Sequence, residues 1–190
     1  MKELLLDLIN DYLILFPNEK ERQEQFIEYL EKHNDLEITD HNNFDGHVVA
    51  GGFIYAKEDK RFLMIYHKDL KMFLHPGGHV ELSDITPLEA SKREVYEETG
   101  FDDMEEVILS DTELIPIDID THLIPYNDRL DLPEHYHFEF RYLFTLDSIK
   151  EVKLDLNESS EFKWISIDEL RQDKKYSKIV KKIDNELSIY

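Results

Sequence analysis

Apolar residues recur first at helical spacing and later at strand spacing. Leu4, Leu5, Leu8, Tyr12 and Leu15 return every three or four residues, which predicts an amphipathic helix, and Phe16-Pro17-Asn18 ends it. Phe26, Ile27 and Leu30 set among Glu, Lys and Arg predict a second helix. Residues 1–44 thus form a helical N-terminal extension, able to pack on the main domain, on a lid or on a partner subunit. The pattern changes at His47. Val48–Ala56 and Phe62–Tyr66 are predicted strands joined by the polar turn Lys57-Glu58-Asp59-Lys60. Shorter strands are expected near Glu106–Ser110, Glu113–Ile119 and Phe162–Ile165.

The clearest alternation runs from His135 to Leu146. Tyr136, Phe138, Phe140, Tyr142 and Phe144 face one side, and His135, His137, Glu139 and Arg141 the other. Before it, Asp120–Glu134 carries Pro125 and Pro133 and is expected to be a loop long enough to suggest function. Ser166-Ile167-Asp168-Glu169 has the form of a capping box, and Lys174–Leu187 that of a mixed-charge helix.

One helix has both ends marked. Thr86 can cap, Pro87 suits the first helical position, and Glu89 would complete a capping box. Gly100 offers a left-handed C-terminal cap, with Phe101 available for the closing apolar contact. Strands before and after this helix imply an α/β layered domain with a mixed sheet over residues 45–190.

Composition narrows the classes. The chain is 41% hydrophobic with 10 Tyr and 11 Phe, enough to build a core. No apolar run approaches the ~20 residues that span a bilayer, and Met1-Lys2-Glu3-Leu4-Leu5-Leu6-Asp7 lacks the form of a signal peptide, so no membrane partner is expected. There is no cysteine, which removes disulfides and thiolate ligands and fits a cytoplasmic protein. The net charge of -21, from 43 acidic and 22 basic residues, argues against a nucleic-acid polymer as partner. Small anions remain possible substrates where bound cations reverse the local field.

Glu94, Glu97 and Glu98 sit at i, i+3 and i+4 on the marked helix, within an arc of about 100°. Like charges so close are either fully solvated or gathered by a divalent cation; Mg²⁺ and Mn²⁺ favour carboxylate oxygen and bridge to phosphate. The flanks bear on that choice. Gly78, five residues, Asp84, eight residues, then Arg93-Glu94-Val95-Tyr96-Glu97-Glu98-Thr99-Gly100-Phe101 resembles the Nudix box. Two departures matter: Asp84 stands where that family has Glu, and eight residues rather than seven precede Arg93. The extra residue falls before Thr86, where an insertion leaves the helix register untouched.

The resemblance covers roughly residues 45–170 and implies a Nudix-type α/β/α sandwich. It also implies a hydrolase using Mg²⁺ or Mn²⁺ to cleave the pyrophosphate linkage of a small-molecule nucleoside diphosphate derivative, with a homodimer as an available assembly. Glu94, Glu97 and Glu98 would then be catalytic metal ligands, Gly78 would offer its carbonyl to a metal, and Arg93 would fix a box carboxylate. An isomerase on the same fold would need a cysteine, which is absent. A non-catalytic sensing module is the remaining alternative, although it would be expected to lose box glutamates.

Substrate-selecting residues lie outside the box. Arg141 could meet a phosphate bidentately beside Glu139 and His137, or these could be ion pairs on a solvated face. His135 and His137 sit i, i+2, a spacing able to hold a transition metal, with His75, His79 and His122 further candidates for a histidine-lined pocket. Glu134, Glu158 and Glu161 are candidate loop-borne bases. Trp164 with Phe162 is expected in the core, with base stacking as the alternative.

Overall fold

A computed structural model describes residues 1–111, 115–128 and 131–187, with residues 186 and 187 described by backbone alone. Helices α1 (Lys2–Leu15) and α2 (Lys20–Lys32) are divided by a 3-10 turn at Pro17–Glu19, where proline lacks the N–H that a continuous helix would need. A short α3 (Asp35–Ile38) follows, capped by Asn34 with Glu37 answering in a capping box.

The sheet is built from β1 (His47–Ala56), β2 (Arg61–His67), β3 (Met72–Leu74), β4 (Gly77–His79), β5 (Glu105–Glu106), β6 (Asp118–Ile124), β7 (His135–Leu146) and β8 (Ser159–Ser166). Its main path runs β3-β2-β1-β7-β5, with β4 on β1, β6 on β7 and β8 on β2. β1 and β7 pair in parallel at the centre, and the other described pairs are antiparallel, so the sheet is mixed as expected. Helices α4 (Pro87–Thr99), α5 (Ile167–Gln172) and α6 (Ser177–Leu187) complete the layers.

Alternation on the central strands divides the interior in two. Val48, Ala50 and Ile54 of β1 join Phe138, Phe140 and Phe144 of β7 on one face, covered by α4 through Leu88, Ala90 and Val95. The same core takes Leu5, Leu8 and Tyr12 of α1 and Phe26 and Leu30 of α2, so the N-terminal helices pack on the main domain beside α4. Phe26 stacks on Phe138 with ring centroids 4.7 Å apart. On the other face Phe53, Phe62 and Leu143 meet Tyr176, Ile179 and Ile183 around α6. Gly52 leaves room for its neighbours on the α4 face: a Cβ there would lie 2.4 Å from Phe144 of β7 and 3.0 Å from Val95 of α4.

Several expectations change. The strand expected over Glu106–Ser110 is only Glu105–Glu106. β6 begins at Asp118, while residues 112–114 of the expected Glu113–Ile119 strand lie outside the described residues. The expected loop after Asp120 is strand as far as Ile124, because Asp120 pairs with Glu139 and His122 with His137 along β7. Glu89 does not close a capping box on Thr86. Thr86 accepts from the Glu89 N–H at 3.1 Å, but the Glu89 carboxylate accepts from Ile85 N–H. The box at Ser166 and Glu169 is complete. Among the described residues no helix is long and apolar enough to cross a membrane.

Candidate active site

Helix α4 begins on the Thr86 cap and stops at Gly100, whose left-handed φ of 77° lets its N–H reach Tyr96 carbonyl at 2.7 Å. The 153–155 segment then ties the last turn down, Lys153 N–H donating to Thr99 carbonyl and Asp155 N–H to Glu98 carbonyl. Fixed at both ends, the helix lays Glu94 and Glu98 against β4.

The three glutamates are held differently. Glu98 is only 3% exposed and accepts from Gly77 N–H at 2.7 Å, so the wholly solvated face considered for the cluster does not exist. Glu94 is half-buried, and its carboxylate lies over Gly78, where a Cβ would stand 2.4 Å from Oε2. Glycine leaves the room this approach uses, and a side chain there would displace the carboxylate. Glu97 is exposed. Burial pushes the Glu98 carboxyl up to about 8, against the Gly77 bond, and Glu94 up to about 7, against Arg93.

Arg93 organises this group. Its Nη1 donates to Glu94 at 2.8 Å and Glu97 at 3.3 Å, and its Nη2 to the His79 carbonyl at 2.8 Å. It also grips Asp84 bidentately, Nε at 3.2 Å and Nη2 at 2.9 Å. Asp84, the residue at which the box departs from its pattern, is therefore an anchor for Arg93 despite its shorter side chain and shifted spacing.

Oxygen donors of this type, a glycine cradle at Gly78 and carboxylates whose burial disfavours their charge all fit a hard divalent cation. The glutamates are not drawn into one tight group, since Glu98 turns to Gly77 while Glu94 and Glu97 share Arg93. Among the described residues the groups of possible ligands lying within 4.8 Å are His47 with His79 and His137, and Asp120 with His122 and Glu139.

The polar side of β7 is not a solvated face. Arg141 is 5% exposed, and its donors are engaged: Nε with Glu139 at 2.8 Å, Nη1 with Asp118 at 3.2 Å and Nη2 with Asp120 at 2.8 Å. A guanidinium so occupied has no free edge for the bidentate phosphate contact expected of it. Glu139 is bound in turn to His75 at 2.8 Å, and His75 to the Tyr176 hydroxyl at 3.1 Å. Arg22 of α2 and Lys182 of α6 reach the same Asp118, at 2.8 and 3.0 Å. Burial would raise Asp118, but Arg22, Arg141 and Lys182 together hold it below the usual carboxylate range. Asp118, Arg22 and Lys182 escaped sequence reasoning because their partners are far apart along the chain. The alternation Ile117-Asp118-Ile119-Asp120 against β7 was the available signal.

His137 does face its neighbours. With His47, His79 and His135 it forms a run of rings at the start of β1 and β7, and burial lowers His47 to about 3 and His137 to about 2. Of the candidate bases, Glu158 acts on both Glu94 and Glu98, raising each. Trp164 packs at the edge of the core, whereas Phe162 is 41% exposed.

The NUDIX domain model matches residues 45–185. The chain is 35% identical to a probable DHNTP pyrophosphohydrolase of Lactococcus lactis subsp. cremoris over 147 residues, 77% of this chain and 81% of that protein. A NUDIX-family hydrolase structure from Clostridium perfringens superposes with a TM-score of 0.54 at 26% identity, covering 75% of this chain and 97% of that one. The E. coli dihydroneopterin triphosphate pyrophosphohydrolase gives 0.56 at 20% identity over 75% and 96%, a likeness of fold. The chain belongs to the Nudix family, and its enzyme class is that of the Nudix-type pyrophosphohydrolases.

Proposed function

We propose that this chain hydrolyses a phosphoanhydride bond of a small nucleotide-like substrate, using Mg²⁺ or Mn²⁺ held by Glu94, Glu97, Glu98 and the Gly78 carbonyl. The observation that carries the reading is Arg93, which ties Asp84, Glu94, Glu97 and the β4 backbone into one carboxylate-rich frame. When bound, such ions neutralise phosphate oxygens and acidify water. Arg93 fixes the rotamers of Glu94 and Glu97, and Gly77 N–H orients Glu98. Glu158, exposed and electrostatically linked to both buried glutamates, is the residue we assign to take the proton from the attacking water. Water adds to one phosphorus, the bridging P–O bond breaks, and each product leaves with the phosphate groups on its side of that bond. Arg141 and Glu139 serve as a buried ion pair on β7, and His137 lies on the same face of that strand.

Two substrate classes follow. A nucleoside diphosphate joined to a second group suits the box alone. A pterin triphosphate is favoured by the 35% identity to the Lactococcus protein. The test is incubation with Mg²⁺ and a panel of dihydroneopterin triphosphate, ADP-ribose, dinucleoside polyphosphates and nucleoside triphosphates, with products separated. Release of pyrophosphate from the pterin supports the second class, and monophosphate products from a conjugate support the first. Tight binding of a panel member without turnover would replace the enzyme by a sensing module.

A further inference from the structure

The histidines of β1, β4 and β7 carry an inference independent of the hydrolase reading. Parallel register sets His47 beside His137, and the β1–β4 register sets His79 beside Val49, two residues along the same face from His47. Their ring nitrogens converge. Nε2 of His47 lies 3.0 Å from that of His137 and 3.1 Å from that of His79, and Nε2 of His137 lies 3.3 Å from that of His135.

Protons alone do not satisfy this arrangement. A neutral ring nitrogen carries either one hydrogen or one lone pair, so it completes one linear hydrogen bond. Nδ1 of His135 lies 2.8 Å from the Pro133 carbonyl, which only accepts, so its proton sits there and Nε2 presents a lone pair. Three contacts then share four nitrogens, and at most two of them can be hydrogen bonds. A cation that accepts a lone pair from each of His47, His79 and His137 removes the conflict among those three.

We propose that His47, His79 and His137 bind one late first-row divalent transition ion of the Zn²⁺ class, with the fourth position left to water. Imidazole suits such ions better than Mg²⁺. Tetrahedral Zn–N bonds of about 2.0–2.1 Å put ligand nitrogens about 3.3 Å apart, close to the 3.0 and 3.1 Å that separate His47 from His137 and from His79. His79 is exposed, which gives the ion a way in. The neighbouring group of Asp120, His122 and Glu139 does not compete, because Arg22 and Arg141 already neutralise its carboxylates. Since Arg93 holds the His79 carbonyl, the ion would pin β4 to β1 and β7 beneath the acidic helix.

The test uses full-length, tag-free, metal-stripped protein titrated with Zn²⁺ in excess Mg²⁺, followed by calorimetry and by the visible spectrum of a Co²⁺ substitute. Binding of about one equivalent is expected, with a tetrahedral Co²⁺ spectrum. His79→Ala, at an exposed position, and His137→Ala should each weaken binding by at least about 100-fold. His122→Ala and Glu97→Gln should leave it unchanged. Circular dichroism checks the fold of the His137 variant, and the His79 variant stands by itself if that one unfolds. No binding by the wild type, wild-type affinity in His79→Ala, displacement by Mg²⁺, or loss in Glu97→Gln would each overturn the site. The last two would move the ion to the glutamates. Loss of hydrolysis with Zn²⁺ binding intact would count against the proposed activity alone.

Discussion

Arg93 braces α4. It spans Asp84, two glutamates and the carbonyl of His79, so its own position depends on the Asp84 grip. Asp84→Asn keeps the shape and removes the charge, and it is expected to lower kcat about 10- to 100-fold through misplaced Glu94 and Glu97. KM should change little, which steady-state kinetics would reveal. The box glutamates could be named from residue order, since their spacing fixes one arc of a helix. Their unequal burial was not legible, because it depends on how closely Gly77 and Gly78 bring β4 under α4. Asp84 looked like a defect in the motif for a related reason: the extra residue before Thr86 lets the chain return a shorter acid to the same arginine.

Among the elements, α4 was legible because caps are local chemistry, and Thr86, Pro87 and Gly100 each act within one turn. The end of β6 was not. Asp120, Thr121 and His122 carry turn-like polarity, yet they face β7 partners, and pairing outweighs composition there. β4 was hidden for the same reason, as Gly77-Gly78-His79 has no strand propensity and exists through its register with β1. How closely α4 packs is testable at Gly52. In Gly52→Ala the new Cβ meets Phe144 and Val95, and overpacking of this kind costs about 1–3 kcal/mol. Urea unfolding should show that loss, together with reduced turnover as α4 lifts from β4. Wild-type stability would mean that the helix is less closely packed.

The molecule as a whole is joined at Asp118. Arg22 from the N-terminal helices, Arg141 from the central strand and Lys182 from α6 converge on one carboxylate that is 1% exposed. Asp118→Asn strands these cations and should cost about 3–5 kcal/mol by urea unfolding. The pH dependence has a definite sign. Asp118 and Glu139 titrate below the usual carboxylate range when folded, so the unfolded chain takes up protons first as pH falls. Their stabilisation is complete above the unfolded pKa values of about 4 and is lost as pH drops through the folded ones. The urea midpoint should fall steeply below about pH 4, and less steeply in Asp118→Asn. Sequence placed the helices and the layered class but not this junction, whose members are joined only by the fold.

The central claim is the proposal that Glu94, Glu97 and Glu98 of α4 together hold a divalent cation. Its most direct test is turnover measured against Mg²⁺ concentration for the wild type, Glu97→Gln and Glu98→Gln, on whichever panel substrate is cleaved. The expected result is no turnover in chelator, saturation with Mg²⁺ in the wild type, and about 100-fold or greater loss in both variants at saturating Mg²⁺. Undiminished turnover in chelator, or variants that match the wild type, would contradict it.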